Sequence, residues 1–116
     1  MISNFRHRDS TAFVHERFAR TDVVHVIGEV DLASAPDLEA ACLASARLRH
    51  ELVLDFSRCT YIDSSVLAVA VRMHRSHAPL FSVVVDAKGV VKRILAISGL
   101  DTLFTCREES LAAVTA

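Results

Sequence analysis

Residues 51–67, Glu-Leu-Val-Leu-Asp-Phe-Ser-Arg-Cys-Thr-Tyr-Ile-Asp-Ser-Ser-Val-Leu, constrain the fold of this chain more than any other stretch. Leu52, Val53 and Leu54 are apolar at consecutive positions, so a strand through them puts hydrocarbon on both of its faces. Such a strand belongs inside a parallel sheet covered by helices, where neither face meets water. Asp63-Ser64-Ser65 then stands before Val66 and Leu67, at a junction where a helix starts. The first turn of a helix leaves backbone N–H groups without partners and its dipole favours negative charge. A phosphate added to a serine there is accommodated without melting the fold.

The rest of the chain alternates strands and helices, which favours an α/β layer fold. Phe13–Phe18 is expected as a first, edge strand and Val23–Val30 as a second, paired as a hairpin across Ala19–Asp22. Ser34 as cap, Pro36 in the first turn and Asp37 at the positive dipole end predict a helix over 35–48, with Leu38, Ala41, Cys42 and Ala46 at helical spacing. Glu51–Phe56 is the third strand. In the helix that follows Asp63, Leu67, Ala70, Val71 and His74 form one stripe, expected to pack, and Ser64, Ala68, Arg72 and Arg75 another, expected to be presented; Pro79 ends it. Leu80–Val85 reads as a fourth strand, Val90–Ile97 as a helix closed by Gly99, Leu103–Thr105 as a short fifth strand, and 108–114 as a terminal helix. Residues 1–11 are expected to be loosely held.

At 116 residues, with 52% hydrophobic residues, the chain is one ordinary domain with ample material for a core. Thirteen basic and 14 acidic residues leave a net charge of -1, so there is no overall attraction to nucleic acid or an anionic membrane, although local patches remain open. Three cysteines in dissimilar contexts, with no CxxC spacing and no apolar leader with a cleavage site, argue against a secreted disulfide framework and predict a cytoplasmic protein. The longest unbroken apolar run, Val66–Val71, is too short to cross a bilayer, so no membrane partner is expected.

The chemistry that the sequence omits is equally informative. The glycines are Gly28, Gly89 and Gly99, and no phosphate-binding or dinucleotide loop can be assembled from them, so no cofactor is expected. Ser64 lacks a Gly-x-Ser-x-Gly elbow and no histidine is tied to it by sequence, which argues against a hydrolase. His74 and His77, three apart at a helix end, have no third ligand nearby and suit the helix dipole, so no metal is expected. The Arg72-Met73-His74-Arg75 run has no interleaved aromatics and reads as a solvated helix face, with no direct nucleic-acid contact. His15 and His25 read as exposed cross-strand residues. Cys42 reads as a buried, inert thiol, and inert thiols are the default reading of Cys59 and Cys106 too.

Four segments occur in order: Gly28-Glu29-Val30-Asp31-Leu32, Leu54-Asp55-Phe56-Ser57, Tyr61-Ile62-Asp63-Ser64-Ser65 and Ser98-Gly99-Leu100-Asp101-Thr102-Leu103-Phe104. On this ordered set, from roughly residue 12 to the C-terminus, the chain resembles a STAS domain, in particular the stand-alone bacterial anti-sigma factor antagonists. The resemblance implies a single STAS domain over 12–116, an α/β fold with a mixed sheet of four to five strands packed with about four helices. It also implies that the loop carrying Asp63 and Ser64 is the regulatory surface. In that family the unphosphorylated antagonist binds an anti-sigma factor that is also a serine kinase and frees a sigma factor, and phosphorylation switches binding off. A separate serine phosphatase closes the cycle. The phosphate falls on the serine directly after the aspartate, here Ser64 rather than Ser65, and adds roughly 1.5 to 2 negative charges beside Asp63. The chain is thus expected to be a substrate of phosphoryl transfer and not its catalyst, a monomer or weak dimer.

By the same resemblance, Asp63 shapes the acceptor, Asp31 contacts the kinase or orients Ser64, and Ser65, Val66, Ala68 and Arg72 complete the partner surface. Plainer readings stand beside these: Asp63 as a helix cap, Ser65 as a first-turn residue, and Asp31 and Asp55 as turn residues. The chain departs from the family at Val66, where glycine usually follows the paired serines. A stiff apolar side chain is expected there on the presented face, narrowing partner choice or reducing phosphorylation. Two other readings remain: a docking subunit of a lipid-transport or stress-signalling assembly that needs no phosphate cycle, and a nucleotide-binding module.

Overall fold

β-Branched residues crowd Thr21–Val30, and this segment forms the long strand β3 about which the sheet is organised in the computed structural model, which describes residues 2–8 and 11–108. The sheet has six strands in sequential order: β1 (Ile2–Arg8), β2 (Thr11–Phe18), β3, β4 (Glu51–Ile62), β5 (Phe81–Val85) and β6 (Cys106–Glu108). A two-residue turn at Ala19-Arg20 joins β2 to β3, so that pair is antiparallel, as is β1 with β2. From β3 to β6 the pairing is parallel. The first two of these parallel connections run through α1 (Ala35–Arg47) and α2 (Ser64–His77), and the last through α3 (Val90–Ser98) and a 3-10 turn, Leu100–Thr102. The sheet is therefore mixed.

Several expectations need correction. Phe13–Phe18 is not the edge of the sheet, because the backbone of Ile2–Arg8 pairs with β2 on its outer side. β4 does not stop at Phe56 but runs to Ile62, because Ile27–Val30 of β3 offer an unpaired backbone edge alongside it; register shifts beyond His25 and Gly28 take up the slack. The last strand is Cys106–Glu108 rather than Leu103–Thr105, since Phe104 turns back to donate its N–H to the Leu100 carbonyl. Its ring meets Phe81 edge-on with centroids 5.9 Å apart. The described residues hold three α-helices rather than about four. The terminal helix placed over 108–114 lies outside the described residues except for Glu108, which is in β6. Ser34 precedes α1 but makes no side-chain cap.

The core lies between one sheet face and the helices. Phe13, Val24, Val26, Leu52, Leu54, Phe81 and Val83 meet Leu38 and Cys42 of α1, Val66, Val69 and Met73 of α2, and Val91 and Leu95 of α3. Val53 is only 4% exposed on the opposite face, so β4 is buried on both sides, as its consecutive apolar residues predict. The buried stripe of α2 is Val66, Val69, Ala70, Met73 and His77, one position away from the stripe expected through Leu67 and Val71, which pack at its margin. Gly99 closes α3 with φ 78°, the left-handed conformation that a side chain would strain.

Candidate functional site

The junction between β4 and α2 is built on Asp63. Its backbone is extended (φ -112°, ψ -175°), which aims the carboxylate back at the first turn of the helix. Oδ1 accepts the Ser65 amide at 3.0 Å, the Ser65 hydroxyl, and the Val66 amide at 3.4 Å. Oδ2 reaches across to the β3–α1 loop and accepts the Leu32 amide at 3.0 Å. Asp63 therefore caps α2 and ties two loops together, and these donors, the Ser65 hydroxyl foremost, hold its carboxyl below the usual range. Ser64 is the first residue of α2 and is exposed, with no hydrogen-bond partner for its hydroxyl among the described residues. The two adjacent serines thus differ: Ser65 is committed to Asp63 and Ser64 is presented.

Asp31 forms the turn that delivers Leu32. Its carbonyl accepts the Ser34 and Ala35 amides at 3.1 and 2.9 Å, and its Oδ1 accepts the Ala33 amide at 3.0 Å. A single bond from the Leu32 amide thus couples the turn made by Asp31 to the cap made by Asp63. Next to them a groove of about 230 Å³ runs between α1 and α2, walled by Pro36 and Glu39 on one side and Ser65, Ala68 and Arg72 on the other. Arg72 is not free on this face: Nε and Nη2 donate to the two Glu39 carboxylate oxygens at 2.7 and 2.9 Å, a bidentate pair across the groove.

The structure brings Asp31, Asp63, Ser64, Ser65, Ala68 and Arg72 to one surface and removes Val66 from it. Val66 is fully buried in the core, so it is no apolar addition to the presented face. Its backbone N–H serves the cap while its side chain packs inward. Sequence reasoning missed Leu32, Tyr61 and Glu39. Leu32 and Tyr61 are 73% and 49% exposed next to the two aspartate-bearing loops. A large apolar residue in the Gly-Glu-Val-Asp-Leu segment was the available signal for Leu32; Glu39 had none, since its pairing depends on helix packing.

Two buried polar clusters lie away from this surface. His25, expected to be an exposed cross-strand residue, is buried; its Nδ1 pairs with Asp55 Oδ2 at 2.7 Å and its Nε2 with Glu16. The hydrogen bond to Asp55 pushes the imidazole pKa up against the opposing effect of burial, with Glu16 adding to the rise. Burial pushes Asp55 up, but the bonds from His25 and Ser57 outweigh it and its carboxyl lies below the usual range. At the other end of the sheet, buried Asp22 accepts from Arg17 at 2.6 Å and pairs with His50 at 3.0 Å and His15 at 3.1 Å. Together these partners overcome burial and depress its carboxyl. His77 donates to the His50 carbonyl at 2.6 Å and His74 packs edge-on against Phe104. Each of these histidines is engaged away from Ser64. The described residues contain no cluster of three or more potential metal ligands. All three cysteines are free, and burial pushes the Cys42 and Cys59 thiols up to about 12 and about 11. Among the described residues no helix is long and apolar enough to cross a membrane.

The family model described as the MlaB STAS domain matches residues 14–105. The chain belongs to the STAS domain family. Among solved structures this STAS domain is similar to an anti-sigma factor antagonist from Mycobacterium paratuberculosis, with a TM-score of 0.77 and 26% identity over 96% of each chain. The unphosphorylated anti-sigma factor antagonist SpoIIAA shares the fold at 17% identity and a TM-score of 0.64, over 89% of this chain and 94% of that one. The phosphorylated form of the Bacillus cell fate determinant SpoIIAA does so at 18% identity and a TM-score of 0.63, over 89% and 97%. A search of curated proteins returns no match.

Proposed function

We propose that this STAS domain is an anti-sigma factor antagonist switched by phosphate at Ser64. In the unphosphorylated form, the surface made by the Leu32 loop, Ser64 and the exposed side of α2 binds an anti-sigma factor with serine kinase activity, and a sigma factor is released. Phosphorylation of Ser64 ends that binding, and a serine phosphatase restores it. The observation that carries the proposal is the difference between the two serines: Ser64 stands exposed at the first position of α2, while the Ser65 hydroxyl is held by Asp63. The helix N-terminus accommodates the added charge, whereas a docked partner has to desolvate it next to the Asp63 carboxylate. The switch thus acts on the interface rather than on the fold. The similarity to the mycobacterial antagonist over nearly the full length of both chains supports the same reading.

A second reading keeps the surface and drops the phosphate: a docking subunit of a lipid-transport or stress-signalling assembly, supported by the match to the MlaB-type family model. One experiment separates them. The protein is incubated with the candidate kinase and ATP, and phosphate incorporation is read by mass spectrometry for wild type, Ser64→Ala and Ser65→Ala. Partner affinity is then measured for Ser64→Asp. The switch requires incorporation in wild type and Ser65→Ala, none in Ser64→Ala, and weakened binding by Ser64→Asp. No incorporation together with undiminished binding by Ser64→Asp makes the docking subunit the correct reading.

A further inference from the structure

The net charge of -1 conceals an uneven distribution. At the end of the sheet where β3, β4 and β5 begin, opposite the Ser64 junction, three turns are laced together. The Glu51 amide donates to the Arg20 carbonyl at 2.9 Å and the Leu52 amide to the Leu80 carbonyl at 2.8 Å. Each turn carries one large apolar side chain into solvent: Phe18 is 57% exposed, Leu48 48% and Leu80 37%. Beside them stand the exposed arginines Arg20, Arg47 and Arg49, with Arg75 in the last turn of α2, which the bond from His77 to the His50 carbonyl holds at the same end. Against these four arginines the turns expose one carboxylate, Glu51, because Asp22 behind them is buried and already paired. Among the described residues none of the four has an ion-pair partner.

Arg47 and Arg75 also suit the carbonyl ends of their helices. Arg20 and Arg49 lie outside helices, and the backbone around them is costly. Ala19 (φ 54°) and Arg49 (φ 58°) adopt the left-handed conformation without being glycine. Arg49 directly follows the C-cap of α1, the position where glycine is least strained. Glycine is the least strained residue at this position, and this chain presents a guanidinium there instead.

We propose that this pole is a second binding surface, which docks the domain on anionic phospholipid headgroups of a bilayer. The whole-chain charge predicts no such attraction; the local patch supplies it. Apolar tips on three separate turns, at a pole that carries four arginines, suit a deformable interface where hydrocarbon enters the headgroup boundary and guanidinium groups pair with phosphates. An acidic protein segment fits less well, because these tips form no continuous stripe for a peptide to follow. Docked in this way, the domain keeps the Ser64 surface facing away from the bilayer, open to its partner. The proposal does not depend on whether Ser64 is phosphorylated.

The test is co-sedimentation of the full chain with phosphatidylglycerol-containing vesicles and with pure phosphatidylcholine vesicles, at low and high salt. Binding is expected only to the anionic vesicles and is expected to fall with salt. Arg20→Gln with Arg49→Gln should lower the partition coefficient roughly 25-fold, at about fivefold per charge. Phe18→Ser should weaken binding and leave its salt dependence intact. Arg93→Gln, an exposed change on α3, should leave binding unaltered. Arg49→Gly keeps the test clear of misfolding, since glycine suits φ 58° and should hold or raise thermal stability while weakening binding. Any of three results overturns the proposal: no binding to anionic vesicles at low salt, equal losses from Arg93→Gln and Arg49→Gly, or binding to polyglutamate with none to vesicles.

Discussion

Replacing Val66 with alanine tests where this residue acts. The side chain is completely buried in α2, within the core cluster that joins the three crossover helices to the sheet. Losing two methyl groups forfeits about 1.6 kcal/mol of transfer free energy, at about 0.8 kcal/mol each. The space they leave adds about 1 kcal/mol where the surroundings do not collapse. Alanine is the better helix former by about 0.5 kcal/mol, which offsets part of the loss. The expected net destabilisation is about 2 kcal/mol, rising to about 4 kcal/mol for Val66→Gly, which removes a third carbon and loosens the helix backbone. Against a total stability of about 5 to 15 kcal/mol, either change is plain in urea unfolding. With a slope of about 1.5 kcal/mol per molar, the alanine variant should lower the midpoint by roughly 1.3 M. Partner affinity and phosphate incorporation, measured well below the transition, should stay at wild-type values. A destabilisation under about 0.5 kcal/mol, or a several-fold change in affinity at unchanged stability, would refute the assignment of Val66 to the core.

Asp63→Ala removes the acceptor for the Ser65, Val66 and Leu32 amides and should cost about 2 kcal/mol, of which the helix cap accounts for about half. Hydrogen exchange at the Leu32 amide should accelerate in this variant, and an unchanged rate means that the two loops are not coupled through Asp63. The pair of carboxylates around His25 predicts a pH dependence. Because the folded imidazole pKa is raised, the stability it contributes is fully present below its unfolded value of about 6.5 and is lost as pH rises through the folded value. Glu16→Gln should move that loss to lower pH, which urea midpoints measured from acid to mildly alkaline pH will show; identical profiles for the two proteins sink the assignment.

Several elements were legible because their signals are local. The hairpin between β2 and β3, read across Ala19–Asp22 and tightened to Ala19-Arg20 by the Phe18–Thr21 pairing, the Gly99 stop of α3 and the start of α2 after Asp63 each follow from a few neighbouring residues. The boundaries that were misplaced depended on a partner. Ser57–Ile62 carries no strand pattern of its own, yet it pairs because β3 continues alongside it. Phe104 looked like part of a strand until the aromatic contact with Phe81 showed that it turns into the core instead.

By itself the sequence determined the alternation of strands and helices, the double-sided burial of β4 and the aspartate-serine junction at the head of α2, since each depends on periodicity or capping within a single element. Only the tertiary structure decided which of two adjacent serines is free, which face of α2 is buried, and that Val66 belongs to the core. It alone brought His25 to Asp55, thirty positions apart in the chain, and set Arg20, Arg47, Arg49 and Arg75 at one pole. The physical reason is that local patterns encode what an element needs to bury or satisfy, whereas the partner that meets the need is chosen when the whole chain packs.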